Sequence, residues 1–104
     1  MNEPTDPAQP GDPNDPTDLS AGAMKFPMDF PIKVVGLNRI EFEPEVTRIV
    51  RLHAPDWDSS SIEARSSREG NYLSLTVTIR ARSRDQLDAL YRDLTANPLV
   101  RVVL

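Results

Sequence analysis

The clearest pattern along the chain is a strict two-residue alternation. Leu73, Leu75, Val77, Ile79 and Ala81 alternate with Tyr72, Ser74, Thr76, Thr78 and Arg80. Period two sends successive side chains to opposite faces, so this segment predicts a strand with one buried and one wet face. Two other stretches follow helical spacing. Phe42, Val46, Ile49, Val50 and His53 share one helical face. Pro44 sits near that helix's first turn, where its missing N–H does no harm, and Glu43 and Glu45 suit the positive end of the helix dipole. Pro55 stops the helix, and Asp56 to Ser60 reads as a loop. Leu87, Leu90, Tyr91 and Leu94 form a second stripe, opened by Ser83 and Gln86 at capping-box spacing and ended by Asn97-Pro98.

Shorter apolar runs fill the gaps. Pro31 opens a predicted strand over Ile32 to Val35 that ends at Gly36, and Asn38 to Glu43 connects it to the first helix. Phe26-Pro27 and Phe30-Pro31 read as an extended lead-in that lays two aromatics on the domain surface. Ser61 to Arg68 reads as a strand with Ile62, Ala64 and Ser66 on one face, joined to the long strand by Glu69-Gly70-Asn71. Leu99 to Leu104 reads as the final strand. The order is β-α-β-β-α-β. Two right-handed βαβ units around a hairpin imply an α+β, ferredoxin-like two-layer sandwich. Its four-stranded antiparallel sheet would have the order 4-1-3-2, with both helices on one face.

Composition divides the 104 residues into two regions. Residues 1–25 are predicted to be a disordered, acidic, Pro-rich tail, and residues 26–104 the folded domain. Glu3, Asp6, Asp12, Asp15 and Asp18 precede the first basic residue, Lys25. The net charge of −4 therefore comes from the tail, and the rest holds eleven acidic and twelve basic residues. A near-neutral domain has no electrostatic footprint for nucleic acid or an anionic membrane, and neither is expected as a partner. Pro4, Pro7, Pro10, Pro13 and Pro16 recur every third residue, the period of a polyproline II helix. The tail reads as a semi-stiff solvated spacer, the alternative being a ligand for an aromatic-lined groove. Met24, directly before the foldable part, reads as a candidate alternative point of translation initiation. The N-terminal residues have neither a basic n-region nor an apolar h-region, so a cytoplasmic location is expected.

No catalytic constellation is present. The absence of cysteine excludes disulfides, thiolate metal sites and thiol catalysis. His53 is the only histidine and cannot make a usual zinc site alone; in the last turn of a helix it is expected to bond free carbonyls. No metal or cofactor is expected, and the reading is non-enzymatic. The open sheet face should carry Lys33, Thr76, Thr78, Arg80 and Arg101 as a candidate interaction surface. It lacks the aromatics that an RNA-recognition platform needs. Arg39, after the first strand, invites comparison with acylphosphatases, but the Gly-x-Val-x-Gly approach to such an arginine is absent. The two free sheet edges could pair with a protein partner or a second copy, making a homodimer. Trp57 is expected to cap the edge of the core.

Four segments together resemble the YbeD-like family of small bacterial proteins. They are Phe30-Pro31-Ile32-Lys33-Val34-x-Gly36, His53-Ala54-Pro55, Ser66-Ser67-x-x-Gly70-Asn71-Tyr72-x-Ser74 and Val100-Arg101-Val102-Val103-Leu104. The resemblance covers residues 26–104 and implies the ferredoxin-like arrangement, similar to ACT-type regulatory domains. It implies a regulatory or ligand-binding role with a proposed link to lipoate metabolism. By position in that fold it points to Gly36, Leu37 and Asn38 as candidate ligand-binding residues. The partner, whether a protein or a small molecule, is left open; the alternative is an adaptor that pairs through a sheet edge.

Overall fold

The computed structural model describes residues 24–104. Of the predicted tail, residues 1–25, positions 1–23 lie outside the described residues, and Met24 packs against the core. Four strands and two helices follow in the order β1 (Met28–Leu37), α1 (Phe42–His53), β2 (Glu63–Ser66), β3 (Tyr72–Ala81), α2 (Arg84–Ala96) and β4 (Val100–Val103). The strands form one antiparallel sheet in the order β2-β3-β1-β4, which is the expected 4-1-3-2 read from the other edge. The fold is the ferredoxin-like α+β arrangement.

Burial follows from the alternation. Ile32 and Val34 of β1 and Leu75, Val77, Ile79 and Ala81 of β3 point to one face and are fully buried against the helices. Phe42, Val46, Ile49 and Val50 of α1 and Leu87, Leu90 and Leu94 of α2 complete the core. Trp57 closes its edge, 8% exposed, with its indole N–H buried and unpaired. As the sole tryptophan it reports unfolding by fluorescence.

The first strand is longer than its sequence suggests. It begins at Met28 and runs through Pro31, which pairs with Thr78. A proline inside a central strand would remove a ladder bond. Here the N–H groups of Lys33 and Leu37 donate to Leu104 and Leu99, on the β4 side. Pro31 lies on the same side by period two, and β4 does not reach that far. This half of β1 is in effect an edge, so the missing N–H has no partner to lose. Phe26 and Phe30 continue the inward phase and pack against the core rather than lying on the surface.

The second strand is shorter than expected. Ser61, its expected first residue, instead ends a 3₁₀ turn over Ser59–Ser61, because the Asp58 carboxylate accepts from the backbone N–H of Ser60 at 2.9 Å and its hydroxyl at 2.8 Å. Those same bonds hold the Asp58 carboxyl below its ordinary pKa. Local capping thus outcompetes the sheet ladder.

The last strand contains a bulge. Val34 pairs with Val103 and Val35 with Val102, but Gly36 pairs with Val100, so Arg101 is extra. The bulge inverts the inward-outward phase after it. Val103 turns to the core side, while Val102 and Leu104 stand exposed on the open face, at 45% and 67%.

Ser83 caps α2, its hydroxyl accepting from the N–H of Gln86 at 3.1 Å. The Gln86 side chain accepts from the N–H of Arg82 at 2.6 Å and donates to the carbonyl of His53 at 2.7 Å. That carbonyl is therefore capped by Gln86. His53 itself, expected to bond helix carbonyls, instead places Nε2 2.6 Å from Asp93 and ties α1 to α2. Ser83→Ala is expected to cost about 1 kcal/mol, read as a lower denaturant midpoint at unchanged slope.

Candidate functional site

The two connections at one end of the sheet are locked together. The β1–α1 loop meets the β2–β3 hairpin, where the N–H of Asn38 donates to Asn71 at 3.0 Å and its side-chain amide donates to Gly70 at 2.9 Å. The hairpin is closed by Ser67, whose N–H donates to the Tyr72 carbonyl at 2.8 Å and whose hydroxyl accepts from the Tyr72 N–H at 3.0 Å. Gly70 turns the chain with a φ of 79°, a conformation that disfavours any residue with a Cβ.

Between these loops lies a depression of about 390 Å³ lined by Leu37, Asn38, Arg39, Gly70, Asn71 and Tyr72. Leu37 and Tyr72 are register partners on the open face and give it an apolar wall. Asn38, Arg39 and Asn71 also line it and carry donor groups. The arrangement can hold a small anion with an apolar extension, since a cation and amides converge beside aromatic and aliphatic surface.

Two of the three candidate ligand-binding residues, Leu37 and Asn38, line this depression. Gly36 does not. It is buried, and a Cβ there would collide with the Phe42 ring and the Leu99 carbonyl, so this glycine permits close packing. Arg39, Gly70, Asn71 and Tyr72 join the site through contacts across 32 positions of sequence, which no local pattern reveals. The hairpin glycine and the strand order together were the available signal.

The candidate interaction surface is spread along the open face. Lys33 and Thr76 meet in a second depression, of about 340 Å³, with Glu63, Ala64, Arg65 and Ser74. Thr78 lies next along β3, and Arg80 pairs with Asp29 at 3.2 Å at the far end. Arg101 stands in the bulge of β4, donating to the Pro98 carbonyl at 2.6 Å. Among the described residues no cluster of three or more potential metal ligands occurs. No helix among them is long and apolar enough to cross a membrane.

Residues 22–104 match the family described as "Protein of unknown function (DUF493)". The chain belongs to this family. A UPF0250 protein of Janthinobacterium sp. (strain Marseille) is 50% identical over 87 residues, which cover 84% of this chain and 96% of that one. Relatives in Nitrosomonas europaea and Bordetella pertussis, also UPF0250 proteins, are each 49% identical over 81 residues. These alignments cover 78% of this chain and 93% and 89% of the relatives. Membership in DUF493 agrees with the YbeD-like resemblance of the four sequence segments. It extends over the whole described fold, including both loops of the depression.

Proposed function

We propose that this DUF493 protein is a non-catalytic regulatory domain that binds a small carboxylate in the loop depression. The observation that carries this reading is Arg39 beside Leu37 and Tyr72 in a recess held by the two hydrogen bonds that Asn38 donates to Asn71 and Gly70. A guanidinium suits a carboxylate head and the apolar wall suits an aliphatic chain. Octanoate and lipoate have that chemistry, as do apolar amino acids, and they connect the site with the lipoate link that the family resemblance implies. The expected cellular setting is cytoplasmic.

A thermal-shift series with octanoate, lipoate and leucine tests the reading. Ligand at 100 times its dissociation constant should stabilise the fold by about 2.7 kcal/mol. Arg39→Ala should abolish the shift while leaving the unliganded melting temperature within about 2 °C, because the side chain is exposed. No shift with any of the three, up to millimolar concentration, contradicts small-carboxylate binding. Phosphate release from an acyl phosphate that depends on Arg39 would replace the binding role with catalysis.

A second reading, an adaptor that adds a strand at the β4 edge, is favoured by the exposure of Val102 and Leu104. Leu104 exchanges both backbone bonds with Lys33, at 3.1 and 2.8 Å, so the outward N–H of this edge belongs to Val103. Val103→Pro removes that donor. Partner binding or a homodimer that survives it in a folded protein excludes pairing through this edge.

A further inference from the structure

We propose that the loop depression opens onto an apolar track along the open sheet face, and that this track holds the aliphatic chain of a long-chain monocarboxylic acid. The inference rests on the carboxylate reading of the depression and specifies the length of the ligand. The open face is divided lengthwise. On the β2–β3 half the outward residues are polar, with Glu63 paired to Thr76 and Arg65 paired to Ser74. On the β1–β4 half they are apolar. Leu37 pairs with Tyr72, Val35 two residues back pairs with Val102, and Leu104 bonds with Lys33 at the end of the row. Five large hydrophobic side chains are exposed among the described residues, and three of them, Tyr72, Val102 and Leu104, fall on this track. Such clustering marks a surface that is covered in use.

The bulge in β4 builds the track. An unbroken strand would send Val100, Val102 and Leu104 to one face. The extra residue at Arg101 leaves Val100 in the core and turns Val102 and Leu104 outward beside Val35. The fold thus gives up the burial of two aliphatic side chains, and an apolar ligand lying on them restores it.

Width, continuity and length identify the occupant. The track is one strand pair wide, with Ser74 and Thr76 on one side and the sheet edge on the other. That is narrow for a protein partner, which needs about 800 Å² on each side. It suits a single chain that brings no polar backbone. Leu37 and Tyr72 belong to both the track and the depression, and Arg39 lines the depression beside them. A carboxylate bound there leaves its chain on Leu37, directed over Val35 toward Val102 and Leu104. From Leu37 to Lys33 is four residues of β1, about 13 Å. An extended chain advances about 1.2 Å per bond, so the track takes roughly eleven bonds. Butanoate ends inside the depression, octanoate covers Val35, and dodecanoate reaches Leu104, where Lys33 closes the row.

Titration of ¹⁵N-labelled full-length protein with butanoate, octanoate and dodecanoate, each below micelle formation, tests the track. A fully buried methylene is worth about fourfold in affinity and a half-covered one about twofold. Affinity should therefore rise about fourfold for every two methylenes from butanoate to dodecanoate. Amide shifts should stay at the loops with butanoate and extend to Val35, Val102 and Leu104 with dodecanoate. Val35→Thr with Val102→Thr keeps side-chain shape and strand propensity, and should flatten the gain to less than about twofold per two methylenes. Leu104→Ser, at the exposed end of the track, should remove only the gain from octanoate to dodecanoate. Equal affinity for the three acids, with shifts confined to the loops, overturns the track and leaves the carboxylate reading standing. Binding of none of them overturns both. A gain with length that persists in the variants, or shifts centred on α1 and α2, places the chain elsewhere and overturns the track.

Discussion

Gly36→Ala should destabilise the fold by about 3 kcal/mol and lower its melting temperature by about 12 to 24 °C. The added methyl would lie far inside van der Waals distance of two ring carbons of Phe42 and of the Leu99 carbonyl oxygen. The ring has little room to retreat, because Phe42 is fully buried at the start of α1. The carbonyl is also held, since it accepts from the N–H of Leu37 at 3.1 Å where β4 joins β1. Relief must come from moving a helix or opening the ladder. Phe42→Leu in the Gly36→Ala background vacates ring volume, so the pair should be less destabilised than the sum of the singles by about 1 kcal/mol. Equilibrium denaturation followed by Trp57 fluorescence measures all four corners of the cycle. Wild-type stability in Gly36→Ala would mean that Phe42 does not pack on this glycine.

Leu90→Ala should cost about 3 to 5 kcal/mol. Leu90 is fully buried at the centre of the α2 stripe, between Leu87 and Leu94, in the layer that joins α2 to α1 and the sheet. Removing it takes away the transfer energy of the side chain and leaves a cavity that neighbouring rigid elements can only partly close. A domain of this size has total stability of roughly 5 to 10 kcal/mol, so the variant should lie near its unfolding threshold at 37 °C. The control is Leu52→Ala. Leu52 is also a helical leucine, but it is 64% exposed on the outer side of α1, and its loss should change stability by about 0.5 kcal/mol or less. Equal effects from the two substitutions, measured by the denaturant midpoint, would mean that the buried helix faces are wrongly placed.

The β3 strand and both helices were legible because each carries a full set of periodic apolar positions. Their boundaries follow from local devices, such as the Ser83 cap, that are also visible in sequence. The start of β1 was not legible, because Pro31 argues against a central strand. Only the tertiary fact that β4 stops short makes that proline harmless. The outward turn of Val102 and Leu104 was hidden for a related reason. Leu99 to Leu104 reads as one continuous strand, and the bulge at Arg101 exists only in the pairing with β1. Ser61 was assigned to the second strand because nothing in composition reveals that the Asp58 side chain captures Ser60 and starts a 3₁₀ turn there.

The site was half legible. The fold placed attention on the β1–α1 loop, and Leu37 and Asn38 do line the depression. Gly36 was grouped with them by position in the fold that the resemblance implies, whereas its actual neighbour is the Phe42 ring. Arg39 was visible as a loop cation. Its convergence with Asn71 and Tyr72 depends on the hairpin folding back beside the loop, which is a property of the assembled sheet.

The binding reading is tested most directly by titrating ¹⁵N-labelled full-length protein with octanoate and following its amide signals. Saturable shifts should centre on Leu37, Asn38, Arg39, Gly70, Asn71 and Tyr72, the residues that enclose the depression, and should vanish in Arg39→Ala. Shifts confined to the helices, or no shifts at millimolar octanoate, lipoate and leucine, would contradict a carboxylate-binding site at these loops.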